Sequence, residues 1–161
     1  MTKHPVRSAM EAALRDVVVA HLREHGFRGS FPHFRRAHAT HIDLLTFQFY
    51  SSGGSFVVSL AVCPPTGVVH PWGEIVPPAK VTAQDVLRRH RLGSQGHGDH
   101  WFVYGKPNYE VGHDIVVPGE HDAGVAEEVC RLLVEEGEGY WHRAGQEGAA
   151  AEDRPHASDR G

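Results

Sequence analysis

The stretch that decides the fold is residues 41–63, HIDLLTFQFYSSGGSFVVSLAVC. Two apolar runs flank the polar segment Ser51–Ser55, and the glycines Gly53 and Gly54 permit the positive φ angles that tight turns need. This pattern predicts a β-hairpin with two long strands. We expect that hairpin to form the centre of the sheet.

The alternation of side chains along the two strands predicts which faces are covered. Apolar side chains occupy both faces of the first strand, with Leu45 on one face and Ile42 and Leu44 on the other. This is typical of a central strand that is covered twice. On the second strand we expect one apolar face to match Ile42 and Leu44. The side chains of that face are Phe56, Val58, Leu60 and Val62.

Helical periodicity marks two longer segments and one short one. Apolar residues recur at helical spacing over Val6–His25 and again over Asp122–Glu136, where Gly137 and Gly139 are predicted to end the helix. Thr82 and Asp85 have the spacing of a capping box. We therefore predict a short third helix that begins after Thr82, continues through His90 and stops near Gly93.

The remaining segments complete a predicted α+β domain. Residues 33–39 are rich in charge and predict a strand near an edge, and residues 100–105 predict a fourth strand. An antiparallel sheet of about four strands would then carry the two main helices, within a single domain over residues 1–142. Residues 143–161 contain no large aliphatic or aromatic side chain, which predicts a disordered C-terminal tail.

The composition excludes several classes of protein. The chain has 161 residues, 40% of them hydrophobic, and a formal charge of −4, which argues against general nucleic-acid binding. No apolar run approaches the roughly 18 residues of a membrane span, and the N-terminus lacks the apolar core of a signal peptide. We expect a cytoplasmic protein, and the Ala-, Gly- and Arg-rich composition suggests a bacterium. Cys63 and Cys130 match no metal or redox motif, and we expect two free thiols.

Several short motifs resemble the domain of unknown function family numbered 4304. The motifs are Leu22-x-x-x-Gly26-Phe27, Phe34-Arg35-Arg36, Phe47-Gln48, Ser51–Ser55, Phe56–Leu60, Arg88-x-x-Arg91-Leu92-Gly93 and Asp99-His100-Trp101-Phe102. The resemblance covers roughly residues 10–141. Ser59 and Ala61 depart from the family's pattern, which has an asparagine and a glycine there. The resemblance implies a small α+β domain and offers no established activity.

Six side chains are candidates for a binding pocket or surface. Gln48 interrupts an apolar strand at a core-directed position, where its amide needs hydrogen-bond partners. Arg88 and Arg91 lie three residues apart, on one face of the predicted short helix. The full set is Arg35, Gln48, Trp72, Arg88, Arg91 and Trp101. The alternative is that Gln48 ties the sheet to a loop, that the arginines lie on a solvated helix face, and that the tryptophans simply pack.

Histidine is the most conspicuous feature of the composition, with 14 residues. Imidazole and carboxylate groups together can bind zinc or iron, and His97, Asp99 and His100 are the first residues to test. However, the chain contains neither HExxH nor a paired CxxC, and no serine lies in GxSxG. We therefore expect these histidines to be exposed loop residues, with no native metal and no cofactor.

Two functional hypotheses remain open. The acidic charge, the family resemblance and the missing catalytic motif favour a non-enzymatic binding protein that acts on another protein. An immunity-type partner of a bacterial toxin is one form of this hypothesis, since some families of this size occur beside toxin genes. The alternative is a small metal-dependent or hydrolytic enzyme that uses the loop histidines.

Overall fold

The computed structural model describes residues 5–51, 53–95, 97–108, 112–118 and 122–152. Its main sheet is antiparallel and has the order β1-β2-β3-β4-β7, with β8 also paired to β4. The strands are β1 Arg28–Ser30, β2 His33–Ala37, β3 Ile42–Phe49, β4 Ser55–Cys63, β5 Val68–Val69, β6 Ile75–Val76, β7 His90–Arg91, β8 Phe102–Val103, β9 Gly105–Asn108 and β10 Gly112–Pro118. Two small hairpins, β5–β6 and β9–β10, lie outside the main sheet. The α+β prediction is confirmed.

Strands β3 and β4 form the predicted central hairpin, with Phe49 opposite Phe56 at the turn. This register pairs Leu45 with Leu60 and Leu44 with Ala61. Paired residues of an antiparallel ladder point to the same face, so the prediction that Leu44 matches Leu60 was wrong. The reason is the turn, whose length fixes the register and therefore decides which faces meet.

Both faces of β3 are buried, as predicted. One face, with Leu45 and Leu60, belongs to a large apolar cluster that the helices complete. The other face, with Leu44 and Ala61, packs against Val81 and the segment that follows β6. The sheet therefore has a thick helical layer on one side and a thinner cover of loops on the other.

Two helical segments pack on the sheet, and each contains one π-helical turn. The N-terminal segment consists of α1 Pro5–Leu14, a π turn at Arg15–Val19 and α2 Ala20–Glu24. Its buried side chains are Val6, Met10, Leu14, Val18 and Leu22. The C-terminal segment consists of α3 Asp122–Leu132, a π turn at Leu133–Gly137 and α4 Glu138–Glu152. Both segments were predicted, although the second continues past its expected end.

Gly137 does not end the helix, because it lies buried where the helix meets the sheet. A Cβ at this position would lie 3.2 Å from Leu133 Cδ2 and 3.4 Å from Leu60 Cδ1. The missing side chain therefore lets the helix approach β4 closely. One turn later the Trp141 indole donates a hydrogen bond of 3.2 Å to the Leu44 carbonyl oxygen.

Helix α4 also extends into the segment predicted to be a disordered tail. It runs to Glu152, and Gly145 is buried against the imidazole of His41. The composition misled the prediction because a glycine can make a close contact without any large side chain. Residues 153–161 of the predicted tail lie outside the described residues.

The predicted short third helix is limited to a single 3₁₀ turn, Ala83–Asp85. The capping box is confirmed, since Asp85 Oδ2 accepts a hydrogen bond of 2.9 Å from the Thr82 amide. Val86 then has extended φ and ψ angles, and the chain continues to β7 instead of forming a helix through His90. Arg88 and Arg91 therefore do not share a helix face.

Two of the predicted outer strands also differ from the structure. Strand β2 is not at the edge of the sheet, because the three residues of β1 pair with it. The predicted strand over residues 100–105 is divided between β8 and β9. Within the described residues, no helix has the length and the apolar character needed to cross a membrane.

Candidate functional site

A cleft of about 740 Å³ opens beside the C-terminal end of β4. Val62 and Cys63 of β4 line one side, and Tyr140 and Ala144 of α4 line another. Strand β5, the two residues that follow it and residues 85–90 complete the rim. A volume of this size falls within the range of about 300–1,000 Å³ that is common for ligand sites.

The charged side chains of the cleft leave it cationic. Arg88, Arg89 and Arg143 line it, and none of the three is in an ion pair with another described residue. Two carboxylates also line it, those of Asp85 and Glu147. Asp85 is already engaged, because it caps the 3₁₀ turn and its Oδ1 lies 3.3 Å from a histidine nitrogen. Arg88 and Arg89 can therefore attract an anionic group. Arg143 also lines a second hollow, beside Glu135 and Glu136.

An exposed apolar rim lies beside these arginines. Val69, Trp72 and Ile75 of the β5–β6 hairpin expose 68%, 70% and 70% of their surface, and Leu87 exposes 85%. The Trp72 ring stacks at 4.4 Å between centroids on His70, which lines the cleft, so the indole lies next to the cleft. Clustered exposed apolar side chains of this kind mark interaction surfaces more often than isolated ones do.

A buried ionic network lies behind the cleft, where β2, β3 and α4 meet. Asp43 is 1% exposed, and its Oδ2 accepts a hydrogen bond of 2.9 Å from Arg36 Nε. Two histidine nitrogens also face this carboxylate: His38 Nε2 lies 2.7 Å from Oδ2, and His41 Nε2 lies 3.1 Å from Oδ1. The second contact lacks hydrogen-bond geometry, so Oδ1 has no hydrogen-bond partner among the described residues. Arg36 continues the network to Glu138 of α4.

Burial shifts the pKa of two groups at the cleft and in the network. It raises the pKa of the Cys63 thiol to about 11, so the sulfur stays protonated at neutral pH and is a poor nucleophile. Burial also lowers the pKa of His41, although the neighbouring Asp43 carboxylate opposes the effect. His41 is therefore a neutral imidazole at neutral pH, which is the form that binds metals.

The structure separates the six predicted binding residues. Arg88 lines the cleft and Trp72 stands at its rim. Arg35 does not line the cleft. Its guanidinium donates a hydrogen bond of 2.9 Å to the Val81 carbonyl oxygen. Gln48 is exposed at the end of β3, so its prediction as a core-directed residue was wrong. Its neighbours Phe47 and Phe49 point to the opposite face and belong to the core under the helices.

The other two candidates serve local structure. Arg91 lies in β7, where it contacts Ser59 Oγ and forms a 3.1 Å ion pair with Asp99. Trp101 is 44% exposed and meets Tyr50 edge to face, with the ring centroids 5.9 Å apart. Neither residue lines the cleft.

The structure does not gather His97, Asp99 and His100 into a metal site. Asp99 is paired with Arg91, and the His100 ring packs edge-on against Phe102. Within the described residues, the group of three whose ligand atoms lie within 4.8 Å of one another is His38, His41 and Asp43. The sequence signal for that group was weak: two histidines that bracket a turn, next to an aspartate at a buried strand position.

Arg143 is the cleft residue that sequence reasoning missed most clearly. It was assigned to the tail, because nothing in residues 143–161 suggested a core. Its place on α4 follows from the continuation of the helix through Gly137 and Gly139. The one sequence signal for a longer helix was the interval of four residues that links Leu133, Gly137, Trp141 and Gly145.

The comparison with known families agrees with the motifs in the sequence. A family model described as "Domain of unknown function (DUF4304)" matches residues 18–141, most of the chain. The chain belongs to this family. The DUF4304 match begins in the first π turn and ends at Trp141, so it includes the central hairpin and most of the cleft. Arg143 and Glu147 follow the matched region.

No curated protein and no solved structure matches this DUF4304 chain.

Proposed function

We propose that this DUF4304 domain is a non-enzymatic binding protein whose cleft takes a segment of a partner protein. The observation that carries the proposal is the combination of unpaired Arg88, Arg89 and Arg143 with an exposed apolar rim. A complementary segment would present one or two carboxylates to the guanidinium groups and an aliphatic or aromatic side chain to the rim.

The chemistry of the cleft supports binding rather than catalysis. Its thiol has a raised pKa, and the alternative histidine–aspartate group of the sequence is engaged elsewhere, with Asp99 held by Arg91. Arginine is well suited to bind carboxylates through paired hydrogen bonds, and a flanking apolar rim excludes water from such contacts. Each feature contributes to affinity without requiring a reaction.

The proposal extends to the identity of the partner and to the place in the cell where the two proteins meet. An immunity-type role against a bacterial toxin, in the bacterial cytoplasm, fits a small domain that binds through one cationic, partly apolar cleft. A toxin partner would present its acidic segment to this cleft. The gene beside the one for this domain tests this part, since an adjacent toxin gene is expected.

The test is a selection of random linear peptides displayed on phage against the purified domain. We expect the selected peptides to combine Asp or Glu with an aromatic or aliphatic residue. A fluorescein-labelled copy of the strongest peptide should bind the parent, and Arg88→Glu with Arg143→Glu should weaken its binding by at least about tenfold. The binding should also weaken as salt is added.

Arg28→Glu is the matched control, because Arg28 is exposed on β1 and does not line the cleft. This variant reverses one charge, against two in the cleft variant, and should leave the dissociation constant unchanged. Leu87→Ser removes one apolar side chain of the rim and should weaken binding without changing the charge. Peptides without acidic residues, or equal losses in the cleft variant and the control, would contradict the proposal.

A further inference from the structure

We propose that His38, His41 and Asp43 form a binding site for one zinc-type divalent transition-metal ion. The three residues lie at the β2–β3 turn and at the start of β3, and one ligand atom of each lies within 4.8 Å of the others. The site does not depend on partner binding in the cleft.

The distances suit a metal after a small adjustment. Ligand atoms around tetrahedral zinc are about 3.3 Å apart, given metal–ligand bonds of about 2.0–2.1 Å. The nitrogen of His41 is 3.1 Å from one Asp43 oxygen, and that of His38 is 2.7 Å from the other. The metal would take Oδ1, the oxygen without a hydrogen-bond partner, and Oδ2 would stay with Arg36. The exposed His38 ring can turn toward the ion.

The charges around the site leave room for a cation. Two carboxylates, those of Asp43 and Glu138, share the single guanidinium of Arg36. These three groups together carry one excess negative charge, and Asp43 is buried. A buried charge without full compensation is costly, and a bound cation would balance it. Arg36 divides its hydrogen bonds between the two carboxylates, with one to Asp43 and two to Glu138.

The surroundings hold the His41 ring with its free nitrogen toward the site. Thr40 Oγ1 lies 2.9 Å from His41 Nδ1, which leaves Nε2 to face Asp43. Such partners of the second ring nitrogen orient metal-binding histidines in proteins. Gly145 of α4 packs against the Cε1, Nε2 and Cδ2 atoms of the ring, where any larger residue would overlap them.

The metal class follows from the ligands and from the open side of the site. Two imidazoles and one carboxylate favour zinc and similar ions over magnesium and calcium, which prefer oxygen ligands. The His38 side chain is 41% exposed, so an ion can enter from solvent and keep a water molecule as a further ligand.

The test uses the full chain without a histidine tag, stripped of metal by a chelator. Zinc chloride is titrated by calorimetry at neutral pH, and cobalt chloride is followed by its visible absorption, which reports coordination geometry. We expect one equivalent of zinc to bind and to raise the melting temperature, since a ligand of the folded state stabilises it. Magnesium chloride should have no such effect.

The variant His38→Ala removes an exposed side chain, so the fold should persist, and thermal melting without metal checks this. Its zinc affinity should fall by at least about tenfold. His97→Ala is the matched control, because His97 is an exposed loop histidine outside the group. It should bind zinc as the parent does. No binding by the parent, or equal affinity in His38→Ala, would overturn the proposal, and the second result would mark adventitious binding by scattered histidines.

Discussion

Arg36 of β2 binds the carboxylate of Glu138 of α4 through two hydrogen bonds, of 3.1 and 2.7 Å. The two residues are 102 positions apart in the chain, and Arg36 also donates to buried Asp43. Its guanidinium stacks over the rings of Phe27 and Trp141 as well, at 4.5 and 5.3 Å from the centroids. One side chain therefore connects the sheet to the C-terminal helix.

The first prediction concerns this arginine. Arg36→Ala should lower the free energy of unfolding by about 3–5 kcal/mol, because it leaves the buried Asp43 carboxylate without its cation. Arg36→Lys keeps the charge and should recover part of the loss. The measurement is urea unfolding followed by circular dichroism.

Arg131→Ala is the control for this prediction. Arg131 pairs with Glu135 on an exposed helix surface, and its removal should cost no more than about 1 kcal/mol. Equal losses for the two arginines would mean that the network around Asp43 contributes little to stability.

The second prediction concerns the core of the hairpin. Leu60 is completely buried opposite Leu45, and Leu60→Ala should cost about 2–5 kcal/mol of stability. Leu87→Ala removes the same atoms from a side chain that is 85% exposed, and it should stay within about 0.5 kcal/mol of the parent. Equilibrium unfolding measures both, and a small loss at Leu60 would count against the observed register.

The third prediction uses two glycines of α4. A Cβ at Gly145 would overlap the His41 imidazole, so Gly145→Ala should cost about 1–3 kcal/mol. A Cβ at Gly148 would meet nothing within 4 Å, and Gly148→Ala should stabilise the helix by up to about 1 kcal/mol. The paired variants make the same chemical change three residues apart. A gain of stability in both would show that α4 does not contact His41.

The fourth prediction concerns pH and His33. Burial lowers the pKa of His33; the Asp85 charge opposes this and Arg35 adds to it by less. His33 Nδ1 lies 2.9 Å from Thr46 Oγ1. The unfolded chain has a histidine pKa of about 6.5, so it binds this proton more readily than the folded chain does. The stability that His33 contributes is therefore present above about pH 6.5 and falls as the pH decreases through that value.

His33→Gln removes the titration and keeps a polar side chain near Thr46. The free energy of unfolding should then fall less steeply between about pH 7.5 and 5.5 than in the parent. The decrease should not vanish, because burial lowers the pKa of His21 and His41 too. His97→Gln makes the same substitution in an exposed loop and controls for the change of side chain itself.

The sequence predicted the central hairpin because its signal is local. The apolar alternation of 41–63 and the glycines of its turn lie within one short segment. The sequence contains no local signal for which face of β3 adjoins which face of β4. That depends on the register, with Phe49 opposite Phe56, which the conformation of the turn sets. The exposure of Gln48 was not local either. Its face of β3 is covered at Leu44 but is exposed at Gln48, near the end of the strand.

The candidate sites were harder to predict because they unite distant segments. The cleft brings Arg88 to Arg143, which composition alone had assigned to a tail. The His38 and Asp43 group is closer in sequence, yet its charge balance depends on Glu138. No spacing rule within a single segment could show these relationships.

The two π turns have a consequence for the rotational phase of the helices. Buried residues follow one another at intervals of four, from Val6 to Leu22 and from Val129 to Gly145. In a regular α-helix of about 3.6 residues per turn, each interval of four rotates by about 40° beyond a full turn, or about 160° over four intervals. One extra residue in a π turn removes about 100° of this rotation. Each helix thereby keeps a nearly straight buried line along its length, and loss of one residue from either wide turn would swing one end of that line away from the sheet.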